Sequence, residues 1–122
     1  MILDEKQRTS DLISSDRVEG TAVFGTDGEK IGSVQKLMIQ KRGGEVTDAV
    51  ISVGGFLGIG SQLHFLPWEK LSYDTELDGY KLDVTEEQLR QAPTYEANER
   101  DREYDPDYRA TIYDYWRVHP YW

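Results

Sequence analysis

Two histidines, His64 and His119, are the side chains of this sequence that ordinarily titrate near neutrality, which makes them the first candidates for general acid–base work. Each stands alone. No arrangement of serine, histidine and acid surrounds either one, and no neighbour is placed to activate a nucleophile. His64 falls in the run Leu63-His64-Phe65-Leu66-Pro67-Trp68. An alternating strand there leaves one face wet, so a surface or core-edge histidine is expected. His119 lies near a helix end, where a positive charge is favoured by the helix dipole alone. The carboxylates Asp101, Glu103, Asp105 and Asp107 alternate somewhat as in a calcium loop, but the required glycine and closing glutamate are missing, and a solvated acidic face is expected. Gly54, Gly55, Gly58 and Gly60 could cradle a phosphate, yet no Lys-Ser/Thr pair follows and no helix opens there. Phe56, Leu57 and Ile59 would also stand where the phosphate must approach. The sequence has no cysteine, which removes disulfides, zinc–thiolate sites and thiol catalysis together. No catalytic residue, metal ligand or cofactor site is therefore expected.

Apolar side chains in unusual places remain. Phe56, Leu57 and Ile59 sit on a glycine-rich, pliable loop, and Trp116, Tyr121 and Trp122 crowd the end of the chain. Exposed apolar clusters of this kind mark contact surfaces, so these six residues are the expected protein-interaction set. For the loop, the competing expectation is a lid tucked over the core. For the C-terminal aromatics, packing within the chain or across a two-fold dimer is expected ahead of docking on another partner. The partner expected is a protein, a second copy of the chain being the first candidate. The net charge of −9, from 23 acidic against 14 basic residues, opposes binding to nucleic-acid phosphates and to anionic lipid surfaces. No apolar run reaches the ~18 residues of a spanning helix, and Met1 to Leu12 lacks the pattern of a signal peptide. A cytoplasmic protein is expected, with peripheral association to a membrane complex left open.

The elements that must position these residues centre on Thr47 to Leu71. Ala49-Val50-Ile51-Ser52-Val53 and the run from Leu63 to Trp68 read as two strands joined by the glycine loop. Before them, Gly20 to Phe24 and Lys30 to Gln40 read as strands about the turn Thr26-Asp27-Gly28. In the second of these the alternation breaks beside Gly32, which predicts a bulge; a helix over Ser33 to Gln40 is the competing reading. After Trp68 come Leu71-Ser72-Tyr73 and Tyr80-Lys81-Leu82, separated by Asp78-Gly79. Strands at roughly ten-residue spacing with turns between them give an antiparallel barrel or sandwich.

Thr85-Glu86-Glu87-Gln88 has the form of a capping box and predicts a short helix that Pro93 ends. Residues 93–122 hold six of the eight tyrosines and two of the three tryptophans, too aromatic for a solvated tail. Asp105-Pro106 predicts a helix start, with Tyr108, Ile112, Tyr115 and Trp116 as its apolar stripe and Pro120 beyond its end.

Taken together, the chain resembles the PRC-barrel family, named for the cytoplasmic domain of the photosynthetic reaction-centre H subunit and shared with the ribosome-maturation factor RimM. The resemblance is carried by Ser14-Ser15-Asp16, by Gly28-Glu29-Lys30-Ile31-Gly32-Ser33-Val34 and by the segment from Val50 to Gly60, VISVGGFLGIG. Gln88 to Tyr95 and Pro120-Tyr121-Trp122 are similar to the corresponding parts of small stand-alone bacterial members. The resemblance implies a mostly β fold: a small antiparallel barrel of about six strands with a short helix and an aromatic-rich helical C-terminal tail. Residues 1–9 would be a flexible N-terminus, 10–95 the barrel and 96–122 a tail packed on the barrel or a dimer mate. The family shares no catalytic residues, so a non-enzymatic interaction or assembly module is implied. An accessory subunit of a photosynthetic or other bioenergetic membrane complex is the first alternative, and a small-ligand-binding or catalytic barrel the second.

Overall fold

The computed structural model describes residues 10–54 and 62–122. Six strands form one curled sheet: β1 (Ala22–Phe24), β2 (Lys30–Ile39), β3 (Val46–Val53), β4 (Gln62–Pro67), β5 (Leu71–Asp74) and β6 (Gly79–Leu82). Their order across the sheet is β4-β3-β2-β1-β6-β5. Among the described residues three short helices accompany them, α1 (Ser15–Val18), α2 (Glu86–Gln91) and α3 (Pro106–Tyr115), with 3-10 turns at Trp68–Lys70 and Arg100–Tyr104. Among the described residues, no helix is long and apolar enough to cross a membrane.

The stretch from Ser33 to Gln40 is strand through Ile39, not helix, because β2 must pair with both β1 and β3. The break beside Gly32 is a bulge: Val23 faces Gly32 and Phe24 faces Lys30, which leaves Ile31 as the extra residue. Two further shifts, at Gln35 and Thr47, bend the β2–β3 pair and curl the sheet. The pairing is antiparallel everywhere except between β1 and β6, which run parallel, so the sheet is mixed where a wholly antiparallel one was expected. Adjacency in sequence favours antiparallel hairpins, but β6 meets β1 only after the chain has passed through four intervening elements. Gly79 permits the approach: a Cβ there would stand 2.6 Å from the Ala22 carbonyl oxygen and 2.7 Å from the Phe24 ring.

Alternation along β3 divides the core. Ala49, Ile51 and Val53 share one face; Asp48, Val50 and Ser52 share the other. Strand β4 is in register with it, Phe65 opposite Val50 and His64 opposite Ile51. The inner face packs Val23, Ile31, Val34, Leu66, Leu82 and Leu89 into the barrel core. The outer face of β2–β4 is covered as well, which explains why β3 and β4 read as nearly unbroken apolar runs. Its cover is the C-terminal segment. Tyr95 donates its N–H to the Leu63 carbonyl along the edge of β4 (3.2 Å), and α3 then lies against β4.

Local signals fix both flanking helices. Thr85 and Gln88 form the expected capping box, with Gln88 N–H to Thr85 Oγ1 at 3.1 Å and Thr85 N–H to Gln88 Oε1 at 2.8 Å. Asp105 caps α3 by accepting the Asp107 N–H at 2.9 Å, with Pro106 at the first helical position. The end of α3 is not set by Pro120. Arg117 adopts a left-handed conformation (φ 59°), the Val118 N–H bonds the Tyr113 carbonyl at 2.9 Å, and the Arg117 N–H bonds the Asp114 carbonyl at 3.1 Å. This is a Schellman turn, with buried Val118 as its apolar contact. It sends residues 118–122 back along the helix.

Candidate functional site

The C-terminal segment meets the sheet through two buried polar seams. In the first, Asp48 is wholly buried on β3. Its Oδ2 accepts from Arg109 at 2.7 Å, and its Oδ1 accepts from the Tyr113 hydroxyl at 2.6 Å. Thr47 Oγ1 adds a third bond to Oδ2 at 2.7 Å. The Arg109 guanidinium also donates to the Tyr121 hydroxyl at 2.7 Å. It lies 4.7 Å from the centroid of the Trp122 ring, 5.2 Å from that of Tyr121 and 5.9 Å from that of Phe65. Burial alone would weaken the charge on Arg109, but the Tyr121 hydrogen bond and the Asp48 carboxylate outweigh it and raise the pKa. Burial, followed by the hydrogen bond and charge of Asp48, likewise raises the Tyr113 phenol. Asp48 and Arg109 thus form an ion pair roofed by the two terminal aromatic residues.

In the second seam, Glu103 is 3% exposed. Its carboxylate meets Lys36 Nζ at 2.6 Å and accepts from the Tyr95 hydroxyl at 2.7 Å. Burial and then Glu103 push the Tyr95 phenol upward. Neither seam places a nucleophile beside a base, and both are hydrogen-bonded fastenings between elements, although Arg109 Nε is buried without a partner among the described residues. Among the described residues, no group of three His, Asp or Glu could hold a metal ion.

Phe56, Leu57 and Ile59 lie outside the described residues. Trp116 is 9% exposed and belongs to the core, packed beside Ile112 and Val118, whereas Tyr121 and Trp122 are 49% and 51% exposed. The structure therefore separates the three C-terminal aromatics: one faces inward, and two lie across the Asp48–Arg109 pair with open faces. The Tyr113 ring supports both, at centroid distances of 6.3 Å to Tyr121 and 5.1 Å to Trp122. The stripe of α3 also differs from the expected one. Tyr113 is buried and Tyr115 exposed, because the hydroxyl of Tyr113 reaches Asp48 while Tyr115 rests edge-on against Trp116 at 5.4 Å.

Two further expectations are corrected. Glu103 is not part of a solvated acidic face, since Lys36 draws it into the seam. His64 is neither at the surface nor at the core edge but fully buried on the inner face. Neither ring nitrogen has a hydrogen-bond partner among the described residues. Burial, only partly countered by the Pro93 carbonyl and reinforced by the charge of Arg90, lowers its pKa to about 4. The folded chain thus holds this imidazole neutral, whereas the unfolded chain protonates it near its ordinary value of about 6.5. Between those values the unfolded state binds more protons, so stability falls as pH drops through that window. His64→Leu should therefore flatten the decline between pH 7 and pH 4.5 by about 2 kcal/mol. Urea unfolding at the two pH values reads this difference, and equal declines in both proteins would refute it.

The sheet and α2 bear directly on family membership. A PRC-barrel domain model matches residues 10–89, from ahead of α1 into α2. The chain belongs to the PRC-barrel domain family. The match spans all six strands of this PRC-barrel domain and stops within α2, so α3, Arg109 and the terminal aromatics lie beyond it. Among solved structures, the 16S ribosomal RNA processing protein RimM of Pseudomonas aeruginosa is similar at 16% identity and a TM-score of 0.40, covering 65% of this chain and 48% of that one. The chain spans about half the length of that protein. No curated protein matches this PRC-barrel domain.

Proposed function

We propose that this PRC-barrel domain is a non-enzymatic, cytoplasmic interaction and assembly module whose contact surface is built by its C-terminal segment. The observation that supports this reading is the half-exposed pair Tyr121 and Trp122. Large aromatic rings are the side chains most enriched at the energetic centres of protein contacts. Here they are immobilised on Arg109 and Tyr113, so little side-chain entropy is lost when a partner covers them. The seams support the same reading: the buried carboxylates Asp48 and Glu103 both fasten the segment to the sheet.

A photo-reactive phenylalanine analogue in place of Trp122, introduced in the source cell, tests the proposal. It should form one discrete protein adduct, at twice the chain mass if the partner is a second copy. The same analogue in place of exposed Glu87 on α2 should form none. Absence of an adduct at position 122, or an equal spread of adducts at both positions, would overturn the reading.

A further inference from the structure

Beside the aromatic pair runs a groove of about 320 Å³ between the β3–β4 end of the sheet and the returning C-terminal residues. Three aromatic residues line it, the buried Tyr113 and two with exposed surface. Trp68 is half-buried and held edge-to-face against Tyr80 at 5.1 Å, and Tyr121 presents its exposed side. Two exposed carboxylates, Glu45 and Glu69, line it as well, together with Thr47 and His119. Among the described residues, neither carboxylate has an ion-pair partner: the ion pairs are Lys36–Glu103, Arg90–Glu86, Arg102–Glu99 and Arg109–Asp48. The basic residues nearest in sequence, Lys41, Arg42 and Lys70, do not line the groove. Arg109, which donates to the Tyr121 hydroxyl, is already committed to Asp48 and Tyr121.

We infer that this groove receives a lysine or arginine side chain from a basic segment of a partner protein. The inference rests on the interaction-module reading and names the chemistry of the partner. An alkyl stem lying along Pro67 and the aromatic walls, with its cationic head between the rings and the carboxylates, satisfies both kinds of lining at once. An anionic or purely apolar side chain would leave Glu45 and Glu69 opposed or desolvated without compensation. The net charge of −9 adds a long-range field that draws a basic segment towards the surface. That field acts everywhere on the protein, so the test must separate the groove from it.

The probe is a short alternating lysine–alanine peptide, with its glutamate–alanine counterpart as a reference, titrated at pH 8 and low salt into the full chain. Binding is followed by anisotropy and by the indole N–H resonances of Trp68, Trp116 and Trp122. Saturable binding of the lysine peptide alone is expected, with the Trp68 resonance moving and that of buried Trp116 still. The Glu45→Gln/Glu69→Gln variant should bind at least tenfold more weakly, and Glu76→Gln/Glu87→Gln, which removes the same charge elsewhere, less than threefold more weakly. Equal weakening in both variants would assign the attraction to overall charge and overturn the site. So would no binding, or binding that leaves Trp68 unmoved. An adduct at position 122 combined with failure here would keep the module and reject its basic partner.

Discussion

Replacing Asp48 with alanine is expected to destabilise the protein by about 3–5 kcal/mol, the cost of breaking a buried pair by removing one partner. The carboxylate is fully buried and accepts from Arg109, the Tyr113 hydroxyl and Thr47. Alanine would leave the Arg109 guanidinium, whose side chain is only 16% exposed, without its counter-ion, and Tyr113 with only the Thr47 carbonyl, at 3.2 Å, to donate to. Asp48→Asn keeps the shape and an acceptor for Tyr113 but loses the charge, so it should fall between the two. The ordering wild type, Asn, Ala should also appear in the tail: as the fastening weakens, Tyr121 and Trp122 lose the cation they rest on, and trypsin should cut at Arg109 and Arg117 progressively faster. A buried pair can be matched by well-packed apolar residues, so the large loss is specific to removing one member. Equal urea midpoints for wild type and Asp48→Ala would show that the seam is not a fastening.

This dependence was hidden in the sequence, although most of the frame was visible. Six strands, the bulge beside Gly32 and the caps at Thr85 and Asp105 all follow from short-range chemistry: alternation, turn residues and hydrogen bonds within a few positions. The seams join residues 61 and 67 positions apart, Asp48 with Arg109 and Lys36 with Glu103. Pattern reading sees such charges as surface because it cannot see what later covers them. One sign was present. Asp48 opens an otherwise apolar run, Asp48-Ala49-Val50-Ile51, where a charge on a strand covered on both faces needs a partner. His64 escaped for a related reason: alternation assumes one wet face, and β4 has none. The stripe of α3 keeps Tyr108, Ile112 and Trp116 but takes Tyr113 in place of Tyr115, because a hydroxyl seeking Asp48 turns Tyr113 inward, a preference that spacing of apolar residues does not encode. The Schellman turn at Arg117 was also missed, since glycine is the usual marker of that conformation and arginine stands in its place. For the proposed contact surface, the sequence groups Tyr121 and Trp122 with Trp116, and only the fold separates the two exposed rings from the buried one.

That division is the centre of the account, and Trp116→Ala carries its second large effect. Trp116 packs among Ile112, Tyr113 and Val118 where the Schellman turn closes, and truncating a buried tryptophan costs about 3–5 kcal/mol through lost apolar contact and the cavity left behind. Tyr121 and Trp122 are each about half exposed, and their removal forfeits one hydrogen bond, two cation–π contacts and two ring contacts with Tyr113, on the order of 2–3 kcal/mol. The most direct measurement is urea unfolding of Trp116→Ala beside Tyr121→Ala/Trp122→Ala under one set of conditions. A larger loss for the single variant than for the double variant is the predicted result, with the double variant remaining folded and available for contact tests. A double variant that loses as much as Trp116→Ala would show that the terminal pair serves stability as the core does and contradict the proposal that it is a surface kept for a partner.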